Sequence, residues 1–479
     1  MLAAARAAGG CAQGAADELN VKGLLALNLR KLGAEAPLLA PRSYVLLPAP
    51  ATGPSGEEVR SEAAGADAEF AAFVADFRAS RALAILKRVA AAPAGAPDPA
   101  AEPEPEPEPE PDCDSQRPEG LWDREIPVIP WEPPPSRRID EACVTVALAV
   151  AARCAAAAAE DPALFPTHGA AAVTDAEWET LRSARLTAPL LADAAGSTQR
   201  EAAQLALAAL PPSCQLALLR DNVWLLKPSL NGGGNGRGIL LLDRLPVGSG
   251  STTVPALLLA WAASVGRSGS GGLNDMKHGI LLQKAVERPH LLNRELLMQH
   301  WPTGYPLPSQ PLPPPSAAAA DATELYKYNW RVWVLGSLVA LPSPAAYLHT
   351  EGYIDMCGLP YTPALVPGAQ VSNQMGGHAE RGYSRFQRQW DVRAFGQCLS
   401  LEAAAAAAVA VGKEEGRDDP YGSVLQPQVA AIIAAVFRAL ETAPSSLLER
   451  THQELVHTYT QSKSPPQLEY QGWMVNPDR

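Results

Sequence analysis

The clearest periodicity lies in FAAFVADFRASRALAILKRV. There Phe70, Phe73, Val74 and Phe77, then Arg81, Leu83 and Leu86, fall at steps suited to an amphipathic helix. Near the other end Val429, Ile432, Ile433, Val436 and Leu440 recur at helical spacing and predict a second helix. Glu141–Glu160 is a further helix candidate, and TDAEWETLRSARL is another, with Thr174 as its capping residue. From Val223 the period shortens. VWLLKP, GILLLD, GILLQKAV and WRVWVLGSLVAL are brief apolar or alternating runs that predict strands. Helices, then strands, then a late helix point to an α+β or α/β-like fold, and no internal repeat of about 20–50 residues is visible.

Two proline-rich stretches interrupt this pattern. APAGAPDPAAEPEPEPEPEPDCD alternates proline with glutamate; proline fixes φ and removes a donor, and the like charges repel, so an extended disordered linker is expected over 91–137. PTGYPLPSQPLPPPSAAAADAT, residues 302–323, reads as a surface insertion, because its prolines have no place in a central strand. The expected organisation is therefore a largely helical N-terminal region over 1–90, the linker, and a main domain over 138–479. Composition narrows the function class. The net charge of -12 argues against a general nucleic-acid binder. The seven cysteines are scattered without a CxxC pair and read as cytosolic free thiols. No uninterrupted apolar run reaches about 18 residues and no leucine-rich signal core opens the chain, so a soluble intracellular protein with no membrane partner is expected.

The densest chemical signal is VWLLKPSLNGGGNGRGILLLD, with five glycines in the seven residues after Asn231 and Lys227 just before them. A Walker loop needs its lysine inside the loop, before Ser or Thr, and a helix after it; here the lysine precedes the glycines. A Rossmann turn also leads into a helix, whereas Ile239-Leu240-Leu241-Leu242 reads as a strand. The loop thus joins two strands. It is either a hairpin flap closing over a nucleotide, as in ATP-grasp ligases, or a glycine-rich surface loop with no ligand.

The blocks VWLLKP…GRGI, LLQKAVERPHLL, KYNWRVWVL and VSNQ follow one another in an order that resembles the tubulin tyrosine ligase-like family. KGLLALNLRKL, LAPRSYVL and FVADFRASRALAILKRV are similar to segments preceding the catalytic domain of its glycylase branch, and Trp333 follows Arg331 as a bulky residue does there; YLHTEGYI looks equally like the simple tyrosine ligase. The resemblance implies an ATP-grasp ligase fold using ATP and Mg2+. In it Lys227 faces phosphate, Gly234, Gly236 and Gly238 let the backbone approach, and Arg237 adds charge. Gln283 lies near the base, Lys284 and Val286 offer backbone groups, and Glu287 takes a ribose hydroxyl. Lys327 contacts nucleotide, Arg331 holds phosphate or an acyl-phosphate, and Asn373 lies near the phosphates. Asn329 stands where the family usually has aspartate, which puts any role of that carboxylate in doubt.

Arg381, Arg385 and Arg388 fall at helical spacing, with Arg393 beyond, and would make one basic face in an acidic chain. Tubulin tails are rich in glutamate, so this stripe is either a tail-binding surface or a solvated face. His452 and His457 flank Glu454 without metal-site spacing and are read as non-functional. Magnesium needs hard oxygen ligands. Gly472-Trp473-Met474-Val475 loosely resembles the family's G-x-D-F-like block without its aspartate, and the sequence stops before an E-x-N element, so no metal ligand is assigned. The expectation is an ATP-dependent ligase adding glycine to tubulin glutamates, truncated at its C-terminal end and with negligible activity as it stands. Cytoplasm, cytoskeleton and the axoneme of cilia or flagella are its expected places. Glutamylation or tyrosination, and a non-catalytic nucleotide- or microtubule-binding protein, are the alternatives.

Overall fold

The computed structural model describes residues 22–30, 41–47, 56–92, 129–160, 173–186, 196–210, 222–229, 239–248, 254–259, 279–287, 289–293, 324–337, 345–362, 367–371, 389–391 and 426–441, with a few single positions between them. The main part of the expected linker, the insertion over 302–323, the glycines after Asn231, Asn373, the arginine stripe and the C-terminal residues after Glu441 lie outside the described residues.

The fold is mixed α+β with open sheets. Its centre is helix α2, Gly56–Ala90, reached from helix α1, Lys22–Arg30, through the short strand β1, Ser43–Leu46. Helices α3, Glu141–Glu160, α4, Asp175–Ser183, and α5, Ser197–Ala208, pack around α2. The first sheet takes β2, Trp224–Pro228, β3, Leu240–Leu242, and β4, Ile280–Lys284, in the order β1-β4-β2-β3, with every neighbouring pair antiparallel. A two-stranded piece pairs β5, Leu292–Asn293, with β6, Leu325–Tyr326. The second larger sheet joins β7, Tyr328–Ser337, β8, Ala345–Met356, and β9, Gln389–Asp391, all antiparallel. A short helix α6, Pro367–Gln370, precedes β9, and α7, Gln426–Glu441, packs on α1 and β8.

The helices expected at Phe70–Leu86, Glu141–Glu160, Thr174 onward and Val429–Leu440 all form. Thr174 caps α4 through a reciprocal box: its hydroxyl accepts from the Glu177 amide, and the Glu177 carboxylate accepts from the Thr174 amide. Arg153 of α3 donates to both oxygens of that same carboxylate, at 2.9 and 2.8 Å, so the cap also ties two helices. The C-terminal end of α4 is held from α2. Arg81, almost fully buried, donates to the carbonyls of Leu181 and Ala184, the first of which also accepts the Ala184 amide at 3.3 Å.

Helix α2 departs from its expected one-sided pattern. Ala79, Ala82, Ala84, Ile85 and Val89 are buried along with Phe73, Phe77, Leu83 and Leu86, because the sheet covers one side and α3 and α5 cover others. Phe73 meets Trp224 of β2 edge-on at 5.2 Å and Tyr44 of β1 at 5.9 Å. Polar groups inside this contact are satisfied together. Asp76 accepts from the Tyr44 hydroxyl at 2.8 Å and from Ser80 at 2.9 Å, and pairs with Arg42 at 3.0 Å. The entry to β2 is set by Asn222, which sits at φ 57, donates to the Phe77 carbonyl and accepts from the Trp224 indole, each at 2.9 Å. Gly279 at the start of β4 has φ +69, and a Cβ there would lie 1.9 Å from the Leu46 carbonyl oxygen, so only glycine fits.

Helix α3 is long and apolar enough to cross a membrane by length and composition. Here Cys143, Val144, Ala147, Val150, Ala151, Cys154 and Ala158 are buried, and the helix packs on α2. The far end of the expected linker belongs to the fold. The Glu132 amide donates to the Leu245 carbonyl, the Val247 amide to the Pro130 carbonyl, and the Ser136 and Arg137 amides both to the Ser183 carbonyl, so residues 130–137 strap the turn after the edge strand β3 to the end of α4. Phe73→Ala should cost about 3–5 kcal/mol in urea unfolding, as a large buried ring lost from a packed core does. Leu205→Ala, at a position 73% exposed, should stay within about 0.5 kcal/mol.

Candidate functional site

The antiparallel register of the first sheet sorts the site residues onto two faces. Leu225 stands opposite Gln283, and Gln283 opposite Ser43, so these side chains share one face; Lys227, two residues beyond Leu225, lies on it as well. Tyr44, Trp224, Leu226, Leu282 and Lys284 take the other face, against α2. On the first face a chain of hydrogen bonds crosses three strands. The Lys227 ammonium donates to Gln283 Oε1 at 2.5 Å, Gln283 Nε2 donates to Ser43 Oγ at 2.9 Å, and that hydroxyl donates to the Pro41 carbonyl at 2.9 Å. Sequence reasoning set Lys227 at phosphate and Gln283 at a base; the structure brings the two into direct contact.

The residues after Gly238 form a strand paired with β2, with Trp224 opposite Leu242 and Leu226 opposite Leu240. The glycine-rich segment therefore connects a hairpin. Gly234, Gly236, Arg237 and Gly238 are outside the described residues.

Lys284 and Glu287 are turned inward. The Lys284 ammonium donates to the Val223 carbonyl at 2.7 Å, pairs with Glu287 Oε1 and lies 5.7 Å from the centre of the Trp224 ring. Glu287 Oε1 also accepts the Val223 amide at 2.5 Å. Burial draws the Lys284 ammonium down to about 8, against the opposing pull of the Glu287 carboxylate. This carboxylate is buried and serves the start of β2 and the lysine, so it does not face outward as the expected ribose role requires. Val286 between them is 41% exposed, and its carbonyl accepts from Lys327 at 3.2 Å. The Glu287 carbonyl accepts from the Tyr361 hydroxyl at 2.8 Å. The segment after β4 is thus fastened to residues that flank the second larger sheet, Lys327 before β7 and Tyr361 after β8.

Lys327 also donates to Gln370 Oε1 of α6 at 3.3 Å, and burial lowers its ammonium below the usual lysine range, with Cys357 and Glu287 acting in the opposite direction. Arg331 is exposed on β7. Asn329 and Arg331 share one face of this sheet, while Tyr328 and Trp330 take the other beside Phe395. Asp355 of β8 stands opposite Asn329 and is 8% exposed. Sequence reasoning noted that Asn329 lacks a charge and missed this carboxylate, because strand register alone makes the two neighbours. Asn373, Arg381, Arg385 and Arg388 fall outside the described residues. Among the described residues no group of three or more His, Cys, Asp or Glu side chains is placed to hold a metal ion.

The Lys284–Glu287 pair predicts a pH signature. A lysine whose folded value is about 8 binds fewer protons folded than unfolded between about 8 and about 10.4, so its contribution to stability rises with pH across that window. Relative to Lys284→Met/Glu287→Gln, the wild-type chain should gain stability from pH 8 to 10, by at most about 1.4 kcal/mol per pH unit, in urea unfolding at stepped pH. A flat or falling difference would show that Lys284 is not desolvated in this way.

Comparison of the chain with protein-family models, with curated proteins and with solved structures finds no match.

Proposed function

We propose that this chain is an ATP-dependent ligase that joins glycine to glutamate side chains of tubulin, built on an ATP-grasp-type nucleotide site. The observation that carries the reading is the antiparallel β2–β3 hairpin, which encloses a glycine-rich segment with Lys227 held at its start by Gln283. A hairpin of this kind suits phosphate: the ammonium neutralises oxygen charge, and a neutral amide partner yields readily to an anionic one. ATP, when bound, supplies the phosphoryl group that activates a carboxylate toward an amine. In this reading Lys227 steadies phosphate oxygens, Gln283 borders the nucleotide, and Lys327 and Arg331 add cationic groups from the second sheet. Glycine as the amino acid and tubulin as the acceptor rest on the sequence resemblance, and so do a magnesium requirement and a cytoskeletal or axonemal location.

A second reading is a non-catalytic nucleotide- or microtubule-binding protein. The inward use of Glu287 and the asparagine at 329 favour it, since each removes an acid from the nucleotide side. Glutamate or tyrosine as the amino acid is a variant of the first reading.

Titration of the full chain with ATP, with and without magnesium, should show binding by calorimetry. Lys227→Ala should weaken it about tenfold to a hundredfold, as expected for a lost charge-assisted bond. A wild-type chain that binds no ATP would sink the nucleotide reading. With ATP bound, incorporation of labelled glycine into tubulin supports the ligase, and binding without product supports the second reading. Arg385→Glu/Arg388→Glu should weaken co-sedimentation with microtubules several-fold; unchanged co-sedimentation would remove the tail-binding role of that stripe.

A further inference from the structure

The candidate phosphate lysine is held by a chain of bonds that ends on the N-terminal strand. Gln283 Nε2 meets Ser43 Oγ at 2.9 Å, and Ser43 Oγ meets the Pro41 carbonyl at 2.9 Å. A carbonyl can only accept, so the Ser43 hydroxyl spends its proton on Pro41 and faces Gln283 with lone pairs. Gln283 must then turn its NH2 toward Ser43, which leaves its carbonyl oxygen pointing at Lys227. The other end enforces the same orientation, because an ammonium has only donors. A glutamine amide is otherwise free to flip, and the flipped form would set NH2 against an ammonium. Ser43, Gln283 and Lys227 lie some distance apart in sequence on β1, β4 and β2, and register alone aligns them on one face.

We propose that Ser43 is a positioning residue of the phosphate site: by fixing the direction of the Gln283 amide, it holds the Lys227 ammonium in place for an incoming phosphate oxygen. This rests on the nucleotide reading above for the identity of the ligand, whereas the hold on Lys227 stands without it. A phosphate oxygen replaces a neutral acceptor by a charged one, and charge-assisted bonds are about twice as strong, so the exchange favours the ligand. A lysine already ordered loses less freedom on binding than one that sweeps through solvent.

The test compares Ser43→Thr with Ser43→Val in the full chain. The two side chains have the same shape and both suit a strand, and only the first carries a hydroxyl. Ser43→Ala is measured beside them. Lys227 is followed by acylation with an amine reagent without nucleotide, read by peptide mass spectrometry, with buried Lys284 as internal reference; ATP affinity is read by calorimetry. Ser43→Val and Ser43→Ala should raise Lys227 acylation and weaken ATP about twofold to tenfold, the worth of one hydrogen bond, and Ser43→Thr should match wild type in both. Equal behaviour of the Thr and Val variants would overturn the proposal, as would a Thr variant that fails like Ala. If the wild-type chain binds no ATP, the nucleotide reading falls, and the acylation contrast alone decides whether Ser43 holds Lys227. If Ser43→Ala does not fold, the Thr and Val pair still decides.

Discussion

Phe73 of α2, edge-on to Trp224 and beside Tyr44, joins the long helix to the first sheet, and the placement of most other elements follows from that contact. The rings bury large apolar area, and each neighbour of the contact carries a polar group that needs a partner. Asp76 meets the tyrosine hydroxyl and Arg42, while Asn222 meets the indole and the Phe77 carbonyl. A sheet shifted by one residue would send Trp224 to the opposite face and orphan several of these groups at once. Helix position and strand register are therefore one constraint.

That constraint also decides which side chains remain for chemistry. With Trp224, Leu226, Leu282 and Tyr44 committed to α2, alternation puts Lys227, Gln283 and Ser43 on the other face. Lys284 pays for the same alternation by being buried, and Glu287 compensates it. The stretch from Lys284 to Glu287 is pinned to β2 by side chains and to residues flanking the second larger sheet by the Val286 and Glu287 carbonyls.

Much of the fold was legible in the sequence. The helix over 141–160, the capped helix after Thr174 and the strands at Trp224, Leu240 and Ile280 are local patterns, and short-range periodicity and caps report them well. Strand β1 was missed because SYVL is too short to show a period, and its pairing partner β4 lies far along the chain. The all-round burial of α2 escaped for a related reason: alanines at 79, 82 and 84 carry little pattern of their own, and their burial depends on what packs on them. Of the site, Lys227 and Gln283 were visible as residue types beside glycine and strand signals. Ser43 and Asp355 were not, since only cross-strand register makes them neighbours of Gln283 and Asn329.

The sequence by itself determined the helices at Phe70–Leu86, Glu141–Glu160, after Thr174 and at Val429–Leu440, the strands at Trp224, Leu240 and Ile280, and that the glycine-rich segment links two strands, because these depend on side-chain period and backbone freedom within a few residues. Tertiary structure alone decided that Glu287 turns inward to Lys284 and the Val223 amide, that Ser43 reaches Gln283, and that residues 130–137 strap onto the turn after the edge strand. The physical reason is that a charged or amide side chain points toward whichever partner satisfies it. Those partners come from strands and loops that only the folded chain brings within hydrogen-bond reach.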